Sequence, residues 1–510
     1  MHWTGRKLFI FDPNVWYCLS GIWLLFWLWR RRKLYYISWQ LPGPLALPLI
    51  GNLFSMLGRS VTKIIPLTDE LLKTFGGSTR MIRLWAATDL YIIVADASVA
   101  NQVNALALTK ADFYEHFATP YMRKGILVDT NVPHWRASRK VVTRVFHYST
   151  LKAFLPIFHE ESRILVEKMR RYARGGSSFH PPRLMVLATF STIMRTTLGI
   201  NTHAQLSEEQ PFIVAMHTIM QHMQRKMMYP FLRSILVSTI LGYRQEEMKA
   251  IRTLLELSQS VLDNAERSVN KESDERLTLS QVLLQTPHMT RGERNAQILT
   301  VVGAGLDTSM FQNSILLVFL AIHPDIQNKV YEETIQTLGD NTSICPSYED
   351  LMKLDYLDMV LKETLRMSPA GIGTARKVTE DIKVTSSDGK QYTFPTGVTI
   401  VTVAEHIHRS SHYYDRPDVF DPDRWLPERS SQRDPQCFLP FMTGPRNCIG
   451  GKYALLQMKV FTVSIVREFE ILPVETYKTM AQVEEAIRLN FTLDLDEPCH
   501  IRLRERRRKD

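Results

Sequence analysis

The chain is poor in the features that most readily reveal a function. It has five cysteines in 510 residues, at positions 18, 345, 437, 448 and 499, with no CxxC pair and no regular spacing. No disulfide framework follows from that pattern, and a reducing, cytosol-facing body does. No Gly/Ser linker, internal repeat or low-complexity block divides the sequence, so the reading is one large domain behind a leader. A glycine fingerprint for a flavin or a nicotinamide is also missing. Net positive charge is scarce away from the ends. Of the net +10, Arg30, Arg31, Arg32 and Lys33 supply +4 and residues 502–510 another +4, leaving +2 for everything between. That distribution speaks against a phosphate-binding groove and hence against a nucleic-acid partner.

What the chain does have begins with a hydrophobic leader. Val15 to Trp29, VWYCLSGIWLLFWLW, carries no charge and would span ~22 Å as a helix at ~1.5 Å per residue. Phe9 to Phe11 and the tryptophan-rich ends extend it through the interface. The cationic stop at residues 30–33, with no small-residue cleavage site before it, predicts a retained membrane anchor over residues 1–33 and a body on the arginine-rich, cytoplasmic side. A proline-rich connector follows within residues 34–52, where Pro42, Pro44 and Pro48 forbid a continuing helix.

The body, 45% of whose parent chain is hydrophobic, reads as mostly α with small β-sheets. Apolar periodicity predicts helices over 150–174, 183–199, 206–228, 244–270, 291–322, 323–338 and 355–367. Residues 80–95 read as a strand hairpin, and 381–404 as a second small sheet turning at Asp388-Gly389. Residues 405–440 are irregular, and so long an irregular segment in a compact domain has a task.

Four motifs carry chemistry. Phe441, Gly444, Arg446, Cys448 and Gly450 stand in the order F-x-x-G-x-R-x-C-x-G at the mouth of an apolar helix. Glu363 and Arg366 of ETLR lie three apart on one helix face, with Arg424 later in FDPDRW. VVGAGLDTSMF, residues 301–311, puts two glycines and an alanine before Asp307-Thr308 inside an apolar helix, although glycine costs ~1 kcal/mol there. HWRASR places Trp135 and Arg139 four apart.

Together these motifs closely resemble the cytochrome P450 family, from about Leu41 to Leu503 and in the family's order. The resemblance implies the family's fold behind the anchor, with the haem-thiolate catalytic domain over 53–503 and a basic tail over 504–510. It implies haem b bound through the Cys448 thiolate, which pushes electron density toward bound oxygen and favours O–O cleavage. Backbone N–H groups of the glycine-bearing turn would stabilise that charge, Gly444 and Gly450 would permit the turn, Phe441 would shield the sulfur, and Arg446, Trp135, Arg139 and Arg376 would hold haem propionates. Thr308 would hydrogen-bond the carbonyl four residues back and loosen the helix, while Asp307 relays protons. Glu363, Arg366 and Arg424 would form a buried structural network behind the haem.

The implied activity is a monooxygenase inserting one atom of O2 into an apolar small-molecule substrate, a fatty acid, hormone-like lipid or xenobiotic. Electrons would come from NADPH through the membrane-bound NADPH-cytochrome P450 reductase, with cytochrome b5 as a further partner, at the endoplasmic reticulum membrane. The layout is most similar to insect-type members related to the fatty-acid ω-hydroxylases. Many of those carry Glu, able to bond covalently to haem, where this chain has Ala304. Two rival readings are a haem-thiolate isomerase or dehydratase acting on peroxides without external electrons, which the Asp307-Thr308 pair disfavours, and a non-catalytic haem- or lipid-binding membrane protein. His406, His408 and His412 sit in the irregular stretch without a carboxylate pattern for a metal. The methionines at 216, 220, 223, 227 and 228 follow helical spacing and suit either core packing or a flexible substrate entrance.

Overall fold

The computed structural model of the protein describes residues 13–47, 49–52, 64–117, 119–207, 210–268 and 278–507. Arg6, Lys7, Phe9 to Phe11, the last two residues of the helix expected over 244–270 and the last three of the basic tail lie outside the described residues.

A single N-terminal helix, Pro13–Gln40, runs seven residues beyond Lys33 and stops where Pro42 and Pro44 follow. Its apolar side chains from Trp16 to Trp29 are largely exposed, and the helix becomes buried only at Ile37 and Ser38. There it docks on the body: Trp85 Nε1 donates to Ser38 Oγ at 3.0 Å, the Tyr35 and Trp85 rings stack at 5.4 Å, and Lys33 pairs with Asp381 at 2.5 Å. The connector therefore begins at Leu41, and its carbonyls bind back to the sheet, Pro42 O receiving Arg83 N–H at 2.9 Å.

The expected hairpin forms β1 (Met81–Ala86) and β2 (Asp89–Val94), whose alternating apolar residues pack on both faces. β3 (Gly373–Lys377) and β6 (Thr399–Val403) complete a four-stranded sheet in the order β1-β2-β6-β3, in which only the β2–β6 pair is parallel. β4 (Ile382–Thr385) and β5 (Gln391–Phe394) form the second predicted hairpin, with Gly389 at φ +83° in its turn. Three more short strands, β7 (Phe469–Pro473), β8 (Ile487–Leu489) and β9 (Leu493–Leu495), precede β10 (Ile501–Glu505), which pairs with β7, while β8 and β9 pair with each other. Arg504 and Glu505, read from sequence as the start of a tail, are thus the end of a strand.

Helices make up the rest. Those at Leu155–Gly175, Pro181–Ile193, Pro211–Met228, Tyr243–Ser268, Pro324–Leu338, Asp355–Met367 and Gly451–Glu468 surround a central helix, Arg291–Ile322. A reciprocal capping box between Thr290 and Glu293 starts the central helix. Among the described residues it is the one helix long and apolar enough to cross a membrane, yet that window is 83% buried inside the protein, so it is the core helix.

The Glu363 carboxylate is the knot that ties the irregular 405–440 stretch to the helical body. Arg366 donates to both its oxygens at 2.9 Å, Arg424 Nε and the Asp421 N–H donate to Oε1 at 3.0 Å, and Trp425 Nε1 donates to Oε2 at 3.0 Å. All three charged side chains are fully buried. The remaining guanidinium hydrogens go to carbonyls of His408, Asp415, Arg416 and Val419, so the irregular backbone is pinned by cations whose own charge is met by Glu363. The histidines of this stretch are similarly engaged. His406 Nε2 is 2.8 Å from Thr68 Oγ1, and His408 Nε2 accepts the Leu439 N–H at 2.8 Å. Burial, with Arg366 beside it, pushes His408 down to about 3, so its ring is neutral and acts as an acceptor.

Candidate active site

The cysteine loop is held in a tight turn by its own backbone. Cys448 N–H donates to Phe441 O at 2.8 Å and Asn447 N–H to Gly444 O at 3.1 Å. Gly444 has φ +74°, and a Cβ on it would stand 2.4 Å from Asn104 O on the neighbouring helix Ala97–Leu106, so no side chain fits there. Phe441 lies over the first turn of the helix that follows: a Cβ on Gly451 would meet its ring at 3.1 Å. Cys448 is accessible at its surface, yet burial pushes its thiol above the ordinary value, against the backbone N–H groups of Gly450 and Gly451 and the charge of Arg139, which favour the thiolate. Accessibility inside so crowded a setting means that the sulfur faces an internal space. The N–H groups of Gly450 and Gly451 and the charge of Arg139 supply part of what a thiolate needs, and a bound cation would add to it.

Beside the loop lies a group of buried cations whose charge exceeds what the nearby Asp129 carboxylate, itself bonded to His134 and the Asn131 N–H, can match. Arg376 on β3 is 1% exposed and its Nε and Nη1 have no hydrogen-bond partner. Arg446, also buried, donates Nη2 to Asp129 O at 2.8 Å and stacks 4.2 Å from the Trp135 ring, but its Nε and Nη1 are likewise unpartnered. Burial lowers Arg376 to about 10 and, with Arg376 as neighbour, Arg446 to about 9. Lys110, whose ammonium reaches Thr374 Oγ1 at 3.1 Å and the Tyr114 ring at 4.5 Å, is driven well below its usual value by burial and by those two arginines. Buried donors of this strength are ordinarily paired. A ligand with two carboxylates on one edge satisfies them, which is how the residues present fit a haem with its propionates.

Arg139 takes a different part from the one expected. From the helix Val132–Thr143, where Trp135 lies one turn away, its fork grips Asn447, Nη1 to the carbonyl at 2.8 Å and Nη2 to Oδ1 at 2.9 Å. As placed it braces the cysteine loop while standing close enough to the cation group for its charge to lower Arg446. Lys110 is the member that sequence reasoning missed. An isolated lysine in LTKADF gives no sign of burial until β3 is folded against it.

In the central helix, Ala304, Gly305 and Thr308 are partly accessible amid buried neighbours. That i, i+1, i+4 spacing is one face, and the helix packs against Gly451–Glu468, which leaves the cysteine loop. Thr308 Oγ1 donates to Ala304 O at 2.6 Å as its spacing predicts. The expected loosening does not occur: the helix is unbroken α from Arg291 to Ile322. The glycines serve close packing instead, since a Cβ on Gly303 would come 3.0 Å from Met216 Sδ and one on Gly305 2.9 Å from Ile193 Cδ1. Met216 and Met223 are core residues, Met220 is part-buried, and the side chains of Met227 and Met228 lie outside the described residues.

Comparison with known proteins agrees with this geometry. The family model described as Cytochrome P450 matches residues 41–489. Similar proteins from Drosophila melanogaster include Cytochrome P450 4g15, 25% identical with 95% of each chain covered. Cytochrome P450 4d8 is 30% identical over 89% of this chain and 99% of its own. Probable cytochrome P450 313a1 is 28% identical over 97% and 99%.

Proposed function

The chain belongs to the cytochrome P450 family, a haem-thiolate monooxygenase with haem b as cofactor, and from that premise we propose that Cys448 is the axial ligand and that the reaction hydroxylates an apolar carbon of a lipid-like substrate. The overall balance is R–H + O2 + NADPH + H+ giving R–OH + H2O + NADP+. The observation that carries the assignment is the set of buried cations beside the cysteine loop whose guanidinium Nε and Nη1 donors have no partner in the protein.

Haem held there supplies the binding and reductive activation of dioxygen. The chain's own residues do the rest. Arg376 and Arg446, with Lys110, take the propionates and fix the plane of the ring, and Trp135 backs Arg446 with its indole face. Arg139 keeps the sulfur-bearing turn in shape through Asn447. Phe441 keeps water from the sulfur. Across the space, the small side chain of Ala304 leaves room for substrate, and the Thr308 hydroxyl, resting on the Ala304 carbonyl, turns to donate a hydrogen bond while the Asp307 carboxyl supplies protons. Electrons arrive from NADPH-cytochrome P450 reductase, with cytochrome b5 as a second donor. The helix Pro13–Gln40 falls short of a span by mean hydropathy, where its tryptophans and tyrosines count as polar, but its run of exposed apolar side chains from Trp16 to Trp29 supports a single membrane span in the endoplasmic reticulum, with the catalytic body held at its cytosolic root.

The test is a reconstitution with reductase, NADPH, a long-chain fatty acid and 18O2. The expected product carries one labelled oxygen and requires NADPH. Label drawn from water, or product formed from a hydroperoxide without NADPH, overturns the monooxygenase reading. NADPH-dependent labelling of another apolar compound but no fatty acid overturns the fatty-acid substrate alone.

A further inference from the structure

Met216 closes on the central helix where Gly303 has no side chain, 3.0 Å from the position of a Cβ, and so brings the next residue, His217, over Asp307. Asp307 is 8% exposed at its side chain, and its Oδ1 has no hydrogen bond of good geometry. His217 Nε2 stands 3.3 Å from that oxygen, and the imidazole is 41% exposed. His217 therefore touches both the buried carboxylate oxygen and accessible space. The β8–β9 hairpin completes the setting. Gln224 Nε2 donates to Leu489 O at 2.9 Å, tying the hairpin to the helix Pro211–Met228, and Asp494 on β9 adds negative charge. Asp494 is itself held by Asn490 Nδ2 at 3.1 Å and the Leu495 N–H at 2.8 Å.

We propose that His217 is a positioning residue for oxygen activation, which pairs with the Asp307 carboxylate between proton transfers and carries protons to it from water. This rests on the reading of Asp307 as proton donor given above. In the step, the imidazolium gives its Nε2 proton to Asp307 Oδ1, forming a carboxylic acid and leaving a neutral ring that keeps its Nδ1 hydrogen; the ring then turns its bare Nε2 toward the accessible side, takes a proton there from hydronium, releasing water, and turns back. No electron moves. The neutral acid then passes its proton inward, and the restored carboxylate again pairs with the imidazolium.

The charges around the pair favour this cycle. Burial pushes His217 down, but the hydrogen bond and charge of Asp307 and the charge of Asp494 outweigh it, so the histidine lies above its ordinary value. Burial and Asp307 push Asp494 up, opposed by its hydrogen bond from Leu495 and by the charges of His217 and His180. Three acidic side chains on elements packed against this helix are engaged elsewhere. Glu247 pairs with Lys226, Glu246 lies 3.5 Å from His222, and Glu115 bonds Thr130. The imidazolium–carboxylate pair is thus present below the raised histidine value and is lost as pH rises through it.

The test has two readouts on the haem-loaded full chain, with the carbon monoxide spectrum as folding control. The first is NMR titration of 13C-histidine in the diamagnetic carbon monoxide form, with the His217 signal assigned by its loss in His217→Gln. It is expected to titrate above ~6.5 and to fall back in Asp307→Asn. The second is NADPH oxidation with reductase in H2O and D2O across pH. Both variants are expected to slow it on the order of tenfold, with an altered solvent isotope effect, and the double variant to be no slower than the worse single one. An ordinary His217 titration that Asp307→Asn leaves unmoved overturns the proposal. So does a slow Asp307→Asn beside an unaffected His217→Gln, which leaves the role of Asp307 standing. An Asp307→Asn variant with unchanged rate and isotope effect overturns the role of Asp307 itself, and the relay with it.

Discussion

Glu363→Gln is expected to abolish accumulation of folded, haem-loaded protein, or to lower its stability by ~3–5 kcal/mol if it accumulates. The argument is one of charge left behind. Arg366 and Arg424 are 0% and 1% exposed, and both donate to the same carboxylate, which also takes the Asp421 N–H and the Trp425 indole N–H. A glutamine keeps the shape, but its amide turns two hydrogens toward two guanidinium groups that have no water to fall back on. The backbone carbonyls of Asp415, Arg416 and Val419 lose a firm anchor at the same time. Yield of the carbon monoxide complex and the urea midpoint of any purified variant are the measurements. Wild-type values in both would show that the knot can be dispensed with.

The second large effect has opposite signs in two states of one variant. Arg376→Met removes a buried guanidinium whose Nε and Nη1 have no partner in the protein alone. The haem-free protein is therefore expected to be as stable as wild type or more so, because an uncompensated buried charge is gone. The haem-loaded protein loses a charge-assisted hydrogen bond of about 1.5–3 kcal/mol, so haem passes to apomyoglobin roughly ten- to a hundredfold faster. Arg446→Met is expected to act in the same direction. It also removes the cation stacked on Trp135, so its indole fluorescence changes as well. A variant that is destabilised without haem and holds haem normally would mean that the cation group is structural.

How much of this was legible beforehand differs by element. The central helix, the ETLR face and the β1–β2 and β4–β5 hairpins followed from periodicity and turn residues, because each is set by neighbours close in sequence. The Cys448 turn was legible because Gly444 answers to hard sterics, as its 2.4 Å clash shows, whereas Gly450, expected to permit the turn as well, has φ −89° and no close neighbour in the place of a Cβ. The N-terminal helix outran the basic stop because its last turns are decided by Trp85, more than forty residues away. Arg139 was assigned to the cation group by its motif, but whether its fork meets a propionate or Asn447 depends on contacts across 308 residues. Lys110, His217 and Asp494 gave no local signal, since each acquires its role only where separate elements converge.

The central claim is that Cys448 is the ligand of a haem, and the reduced-minus-oxidised carbon monoxide difference spectrum of the membrane-expressed protein tests it most directly. Wild type is expected to show the Soret band of a thiolate-ligated haem, and Cys448→Ser to lose it while the protein is still made. No haem in the wild type, the band of a nitrogen-ligated one, or an unchanged thiolate band in Cys448→Ser would contradict the account.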